Sequence, residues 1–164
     1  MTWIQNVSLS DIQHGFHFAP GWNSMLIQIV DPDMEFPKPL HEFRQMHQFK
    51  FLDLEQDDCP EAEKFKITDA QAAELVGLLQ HALANNMNVV VHCHAGVCRS
   101  GAVVDVGIMM GFQEPEVFRS PNLLVKRKMM EALEFAPDAI DLACKPSCTE
   151  SGITTPIMEI KVDK

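Results

Sequence analysis

The chain has 164 residues, of which 46% are hydrophobic, and its formal net charge is −10. This length suits a single well-buried domain over residues 1–164, and the negative charge argues against nucleic acid or an anionic membrane as partners, because both demand clustered Lys and Arg. No leader sequence and no apolar run of roughly 20 residues is visible, and the five cysteines follow no secreted pattern. We therefore expect a cytoplasmic protein.

The first half of the chain predicts strands separated by short helices and loops. Ser8 or Ser10 is placed to cap a short helix that begins near Asp11. Apolar runs bounded by Gly, Pro and Asp indicate strands, and the residues that follow Asp31-Pro32 predict an irregular connection. In chain order the sequence predicts a strand at 3–7, a loop at 15–23, a strand at 25–30, an irregular segment at 31–39, a helix at 41–48, a strand at 49–54 and an acidic loop at 55–66.

The second half predicts three longer helices around one buried strand. Thr68 and Gln71 fit a capping box, and apolar residues then recur at helical spacing to about residue 85. A strand at 88–92, helices at 99–110 and 122–135, a further turn at 138–144 and a loosely packed tail at 145–164 with an alternating stretch at 157–162 complete the prediction. Strands that alternate with helices indicate an α/β domain whose central, mostly parallel sheet of about four or five strands is flanked by helices.

The stretch from residue 88 to residue 101 organises the rest of the chain. Val89, Val90 and Val91 form a buried-strand pattern, and the apolar helix starts with Arg99 and Ser100. A loop between a strand and a helix N-terminus directs several backbone N–H groups into one concavity, where the helix dipole favours negative charge. The pattern predicts an anion cradle, or P-loop, at the carboxyl end of a parallel sheet, which is where such sheets bind ligands.

A cysteine inside such a cradle is suited to nucleophilic chemistry. Helix N-termini and neighbouring cations favour the thiolate form, and here both the loop amides and Arg99 would act on Cys93. Arg99 offers a planar fork for two phosphoryl oxygens, Gly96 permits close approach of the backbone, and Ser100 is placed to donate a proton to the sulfur. These residue types predict covalent catalysis through a phosphocysteine.

His92-Cys93-His94-Ala95-Gly96-Val97-Cys98-Arg99-Ser100 resembles the HCxxGxxRS signature of the cysteine-dependent protein tyrosine phosphatases. The form HCHAGVxRS is most similar to small dual-specificity-like members of bacterial and phage type, and a weaker resemblance covers residues 25–135. The resemblance implies that His92 orients the cysteine and that Cys93 attacks phosphorus. It assigns phosphate binding to the loop, namely to His94, Ala95, Gly96, Val97, Cys98 and Arg99.

The resemblance also implies a general acid on a loop some 30–40 residues before the cysteine, which protonates the leaving oxygen. The candidates are Asp53, Asp57 and Asp58. Asp53 falls within the predicted strand and is the least favoured, and the spacing of the family places the acid at Asp58, with Asp57 as the alternative. The implied substrate is phosphotyrosine in a protein or peptide, with phosphoserine and phosphothreonine left open, and phosphate, vanadate or sulfate would occupy the same loop.

Other interpretations compete with this hypothesis. A metal site is one alternative, and its possible ligands are His92, Cys93, His94, Cys98, Cys144 and Cys148. A metal site would not need Arg99, so we expect neither a metal nor another cofactor. The loop has no lysine for phosphoinositides, and no basic track for an RNA 5′-triphosphatase is visible. A phosphate-binding pseudophosphatase is the alternative from another class. Cys98 is either a small apolar filler behind the loop or, as the same spacing in low-molecular-weight tyrosine phosphatases implies, a redox partner of Cys93.

Overall fold

The computed structural model describes residues 2–55 and 60–134. Within these residues a four-stranded sheet has the order β1-β4-β2-β3, and all three strand pairs are parallel. The predicted α/β class with a parallel sheet is confirmed. The strands are β1 (Ile4–Val7), β2 (Ser24–Val30), β3 (Gln45–Lys50) and β4 (Asn88–His92); the helices are α1 (Leu9–His14), α2 (Asp69–Ala84), α3 (Arg99–Met110) and α4 (Leu123–Glu134), with a 3-10 helix at Pro60–Phe65.

The sheet buries both of its faces. The larger apolar cluster lies on the face that α2, α3 and α4 cover, and it includes Met25, Ile27, Val89 and Val91 of the central strands. Leu26 and Val90 alternate with those residues, so they point to the opposite face. There they pack in the second cluster, with Val7, Ile12 of α1, Trp3, Phe18 and Phe43. Burial on both faces explains why β2 and β4 each contain three consecutive apolar residues, Met25–Ile27 and Val89–Val91.

Two helix starts follow the predicted capping chemistry. Ser8, rather than Ser10, caps α1, and its hydroxyl accepts the Asp11 N–H while the Asp11 side chain accepts the Ser8 N–H. Thr68 and Gln71 form the predicted capping box of α2. No helix among the described residues is long and apolar enough to cross a membrane.

The predicted helix at 41–48 is wrong. Gln45–Lys50 is the edge strand β3, which pairs in parallel with β2 from Met25↔Gln45 to Val30↔Lys50. The side chains of β3 alternate between partly buried and exposed, and this period of two favours a strand over a helix. The predicted strand at 49–54 is wrong in its extent: β3 ends at Lys50, and Leu52 donates its N–H to the Phe65 carbonyl, outside the sheet.

Some predicted features lie outside the described residues. They are Asp57 and Asp58, the turn at 138–144, the tail at 145–164 and the alternating stretch at 157–162.

Candidate active site

The loop of residues 93–98 joins β4 to α3, and its carbonyl groups are held from outside the loop. Because these carbonyls point outward, the N–H groups of the loop are left to face its concave side, which gives the loop the geometry of an anion cradle. Four carbonyl oxygens accept hydrogen bonds from different parts of the chain: His94 from the Leu9 N–H (3.1 Å), Gly96 from the Asn6 side-chain amide (2.7 Å), Val97 from the Ser120 N–H (3.1 Å) and Cys98 from the Asn122 N–H (3.0 Å).

Gly96 is required where the loop crosses the end of β1. Its φ is +76°, a conformation that residues with a Cβ atom rarely adopt. A Cβ atom at this position would lie 2.4 Å from the Val7 carbonyl carbon and 2.5 Å from the Ser8 nitrogen. These neighbours are backbone atoms that cannot move aside, so only glycine allows the loop to pack against β1.

The Cys93 thiol lies at the bottom of the loop and is 2% exposed. Its Sγ atom is 3.2 Å from the Ser100 Oγ atom. Burial raises the pKa of the Cys93 thiol, but hydrogen bonds from the Ser100 hydroxyl and from the N–H groups of Ser100, Val97 and Gly96 outweigh it, so the pKa lies below its ordinary value. The same groups that would bind an anion therefore favour the thiolate, which is the nucleophilic form of cysteine.

Arg99 is held with one edge of its fork turned toward the protein. Its Nη1 atom donates to Asp31 Oδ1 at 2.7 Å and to the Phe51 carbonyl at 2.8 Å. The buried Nε atom has no acceptor among the described residues. A guanidinium group binds an oxyanion through a pair of N–H groups on one edge. Because Nη1 is engaged by the protein, the edge formed by Nε and Nη2 is the one that remains for a ligand in the cradle.

His92 is fully buried directly before the nucleophile. Burial lowers its pKa to about 4, the nearby Arg99 charge acts in the same direction, and a hydrogen bond to the Cys93 carbonyl opposes the shift. The imidazole is therefore neutral at neutral pH. Its Nδ1 atom lies 3.3 Å from the Cys93 carbonyl oxygen, which only accepts, so Nδ1 carries the proton. This contact fixes the backbone at the start of the loop.

A cavity of about 360 Å³ opens above Cys93 and Arg99. Its wall combines apolar side chains with two carboxyl groups, one of which is the Asp31 that pairs with Arg99. A larger groove of about 470 Å³ lies between α2 and α4, but it contains none of the predicted site residues. The cavity over the cradle is lined by Asp31, Leu52, Asp53, Leu54, Cys93, His94, Ala95, Cys98 and Arg99.

Asp53 lies in the wall of this cavity rather than in a strand. Because β3 ends at Lys50, residue 53 belongs to the segment that leaves the sheet toward the cradle. Its carboxylate accepts a hydrogen bond of 2.6 Å from the Asn122 side chain. Asp53 was disfavoured as the acid because it was predicted to lie in a strand. Since it lies outside β3, that objection does not apply.

Cys98 also lines the cavity and is partly buried, so it is not a filler behind the loop. Burial raises the pKa of its thiol, and the negative charges of Asp53 and Cys93 add to this increase. Cys98 is thus a protonated thiol beside the Asp53 carboxylate, with less thiolate character than Cys93. Within the described residues, no group of three or more His, Cys, Asp or Glu side chains could hold a metal ion.

The sequence interpretation missed three residues that shape the site. Asp31 pairs with Arg99, Asn6 holds the Gly96 carbonyl, and Asn122 contacts both the loop and Asp53. Asp31 could have been found, because it directly follows β2 at the ligand-binding edge of a parallel sheet. Asn6 and Asn122 gave no comparable indication, since their partners lie far away in the sequence.

Comparison with known proteins gives a likeness of structure only. No protein-family model matches the chain, and no curated protein matches it. One similar solved structure, from mouse, is described as a dual specificity phosphatase complexed with zinc tungstate; identity is 16%, the TM-score is 0.46, and the match covers 72% of this chain and 75% of that one. Another is a tyrosine phosphatase of the Orf virus, described as having triple substrate specificity; identity is 15%, the TM-score is 0.45, and coverage is 87% and 73%. Identities of this size carry no argument about activity, so the chemistry depends on the geometry of the cradle.

Proposed function

We propose that the protein is a metal-independent phosphomonoester hydrolase that acts on phosphotyrosine in proteins or peptides through a phosphocysteine on Cys93. The observation that carries the proposal is the placement of a buried thiol of lowered pKa under a loop of which four carbonyls are turned outward, beside an arginine with one edge left for an oxyanion. The signature over residues 92–100 supports the same chemistry. A cytoplasmic location and a phosphorylated protein partner belong to this proposal.

The proposed reaction has two displacements at phosphorus. In the first, the Cys93 thiolate forms a P–S bond while the P–O bond to the leaving group breaks, and a carboxylic acid protonates the departing oxygen. In the second, water attacks the phosphocysteine, the carboxylate takes a proton from that water, and the P–S bond breaks to release phosphate and the thiolate. Ser100, 3.2 Å from the sulfur, stabilises the thiolate as nucleophile and as leaving group. Arg99 and the loop amides bind the phosphoryl oxygens throughout.

Three carboxyl groups are candidates for the acid. Asp57 and Asp58, favoured by the spacing of the resembling family, lie outside the described residues. Within the described residues, Asp53 shares the cavity of Cys93, whereas the Asp31 carboxylate is engaged by Arg99. We therefore place Asp53 beside Asp58 and Asp57 as a proton donor.

The preference for an aryl phosphate is supported by the wall of the cavity. Leu52, Leu54 and Ala95 present apolar surface next to the phosphate site, and this surface suits an aromatic leaving group. The wall also suits smaller alcohols, so phosphoserine and phosphothreonine stay within the proposal as substrates of a dual-specificity form.

The decisive experiment is hydrolysis of an aryl phosphate by the full chain in the presence of a chelator. We expect turnover that vanadate inhibits and that Cys93→Ser abolishes, together with a radiolabelled or mass-shifted phosphoenzyme in the wild type at low pH. A folded protein that binds phosphate with no turnover would overturn the hydrolase proposal and leave the alternative of a phosphate-binding module.

A further inference from the structure

Asn122 is fully buried, and it links three parts of the site. Its backbone N–H donates to the Cys98 carbonyl of the cradle at 3.0 Å. Its side-chain Nδ2 donates to Asp53 Oδ1 at 2.6 Å and to the Leu54 carbonyl at 3.2 Å. Its Oδ1 accepts the Val125 N–H at 3.0 Å, which caps the N-terminus of α4. Both side-chain N–H groups and the side-chain oxygen are thus engaged.

Among the described residues, a small number of other hydrogen bonds hold the segment that carries Asp53. Residues 51–55 belong to no helix or strand. At one end the Phe51 carbonyl accepts from Arg99 at 2.8 Å, and Leu52 donates its N–H to Phe65 at 2.8 Å. Beyond Leu52, Asn122 donates to Asp53 and to Leu54, and the Cys98 side chain is hydrogen-bonded to Asp53 as well. The position of the Asp53 carboxylate relative to Cys93 therefore depends on the Asn122 side chain, whose residue is itself anchored to the loop of Cys93, with the Cys98 thiol as a second contact.

The turn that contains Asn122 is held by contacts of its neighbouring residues. The preceding Arg119 side chain is paired with Asp105 of α3, and Lys126 of α4 donates to the same carboxylate at 3.1 Å. The Ser120 N–H is bonded to the Val97 carbonyl at 3.1 Å. The turn that presents Asn122 is thus tied to α3, α4 and the cradle together, so it can serve as a fixed reference point.

We propose that Asn122 is a positioning residue that holds Asp53 over Cys93 as the proton donor and acceptor of the reaction. The inference depends on the proposed function and goes beyond it, because it selects Asp53 among the three carboxyl candidates and names the residue that places it. Through its bond to Asp53 Oδ1, the Nδ2 group orients the carboxyl group that exchanges protons with the leaving group and with water. A displacement of about 1 Å in such a group costs on the order of 10²-fold in rate.

Two substitutions separate positioning from folding. Asn122→Ser keeps an oxygen that caps α4 but removes both N–H donors that hold the segment 51–55. Asn122→Asp keeps the shape and the cap, and it turns a donor into a carboxylate that repels Asp53. Thr68→Ala is the matched control, because it removes the cap of α2 and makes no contact with the cavity over Cys93.

The experiment compares kcat for aryl phosphates with good and poor leaving groups. We expect Asn122→Ser and Asn122→Asp to lose on the order of 10²-fold with the poor leaving group and far less with the good one, which needs little protonation. The affinity for inorganic phosphate should stay within about twofold, because the cradle and Arg99 are retained. Thr68→Ala should lower Tm and leave the dependence on the leaving group unchanged. Equal rate losses for both classes of leaving group, or no loss, would overturn the inference.

An inactive wild type would contradict the proposed function without testing the role of Asn122. A second measurement therefore tests that role independently of activity. Hydrogen exchange of the full chain should show faster exchange of the amides of residues 51–55 in Asn122→Ser than in the wild type and in Thr68→Ala. Unchanged exchange in this segment would show that Asn122 does not hold it, and the inference would fail whatever the activity.

Discussion

Arg99 and Asp31 form an ion pair in which Nη1 lies 2.7 Å from Oδ1, and this pair decides which edge of the guanidinium faces the cradle. The Arg99 side chain is 5% exposed and that of Asp31 is 35% exposed, so the pair spans the boundary between the interior and the cavity. The Phe51 carbonyl completes the fixation of Nη1. An arginine held on one side only is free to bind an oxyanion on the other.

Replacing Asp31 should weaken anion binding and reduce stability. Asp31→Ala leaves the buried Arg99 charge with one acceptor fewer, and the loss of a hydrogen bond to a charged group costs about 1.5–3 kcal/mol. We expect a lower free energy of unfolding in urea and a higher Kd for phosphate by isothermal calorimetry. Asp33→Ala is the control, since Asp33 is exposed and close in sequence. Equal effects of the two substitutions would show that the pair does not position Arg99.

Two glycine substitutions should act in opposite directions. Gly96→Ala forces a Cβ atom into backbone at a φ of +76°, and the conformational strain alone costs about 1–3 kcal/mol before the clash with Val7 is counted. Gly77→Ala adds a methyl group in the middle of α2 where nothing lies within 4 Å, and it should stabilise by about 0.5–1 kcal/mol. Chemical denaturation of both variants checks the prediction. A neutral Gly96→Ala would mean that the loop packs against β1 less tightly than described.

Removing the Ser100 hydroxyl should raise the pKa of the Cys93 thiol. The hydroxyl is one of the groups that stabilise the thiolate, so in Ser100→Ala the alkylation of Cys93 by iodoacetamide should require a higher pH. A charge-assisted hydrogen bond corresponds to a displacement of the pH profile by about one to two units. Ser120→Ala, which keeps the backbone N–H to Val97, serves as the control. Superimposable profiles for Ser100→Ala and wild type would contradict the assignment.

His92 should make the protein acid-sensitive. Its pKa is lowered to about 4 in the folded chain, so between the unfolded pKa of about 6.5 and pH 4 the unfolded chain binds the extra proton. Stability from this group is complete above the unfolded pKa and declines as the pH falls, by about 3 kcal/mol in total. Urea denaturation at pH 7 and pH 4.5 should show a smaller pH difference in His92→Asn than in the wild type. A pH dependence that the substitution leaves intact would assign the acid sensitivity to other groups.

The acid itself can be identified by comparing Asp53→Asn, Asp57→Asn and Asp58→Asn. General acid catalysis contributes about 10²–10⁴-fold to the rate. A variant without the acid should lose this factor with an aryl phosphate that has a poor leaving group, and should largely retain its rate with an aryl phosphate that has a good one. We expect Asp53→Asn to show this selective loss. The same loss in Asp58→Asn or Asp57→Asn would return the assignment to the spacing of the family. Wild-type behaviour of all three variants would remove the carboxyl acid from the mechanism.

The elements around the cradle could be predicted because their determinants are local. The strand at 88–92, the capping box at Thr68 and the helix that begins at Arg99 depend on residues within a few positions of one another. The edge strand β3 was predicted as a helix because its stability comes from pairing with β2, which is distant in sequence. The same reason explains why the strand predicted at 49–54, which would have contained Asp53, ends at Lys50 in the structure.

The site residues that could be predicted are likewise those that lie close together in the sequence. Cys93, Arg99 and Ser100 lie within eight consecutive residues, so the sequence displays them together. Asp31 is 68 residues from Arg99, and Asn6 is 90 residues from Gly96. Asn122 is 69 residues from Asp53 and 24 residues from Cys98. Only the fold brings them to the loop. A search for polar residues directly after buried strands would have recovered Asp31 but not Asn122.

The outward carbonyls of the loop have a consequence for folding. Their donors come from β1, from the start of α1 and from the turn before α4, so the cradle exists only when these distant pieces have met. An unfolded chain has no such cradle, and every bound oxyanion therefore adds its binding free energy to the folded state alone. Phosphate at a hundred times its Kd would contribute about 2.7 kcal/mol. In a phosphate-rich medium the anion would then act as a folding ligand as well as the product of the proposed reaction.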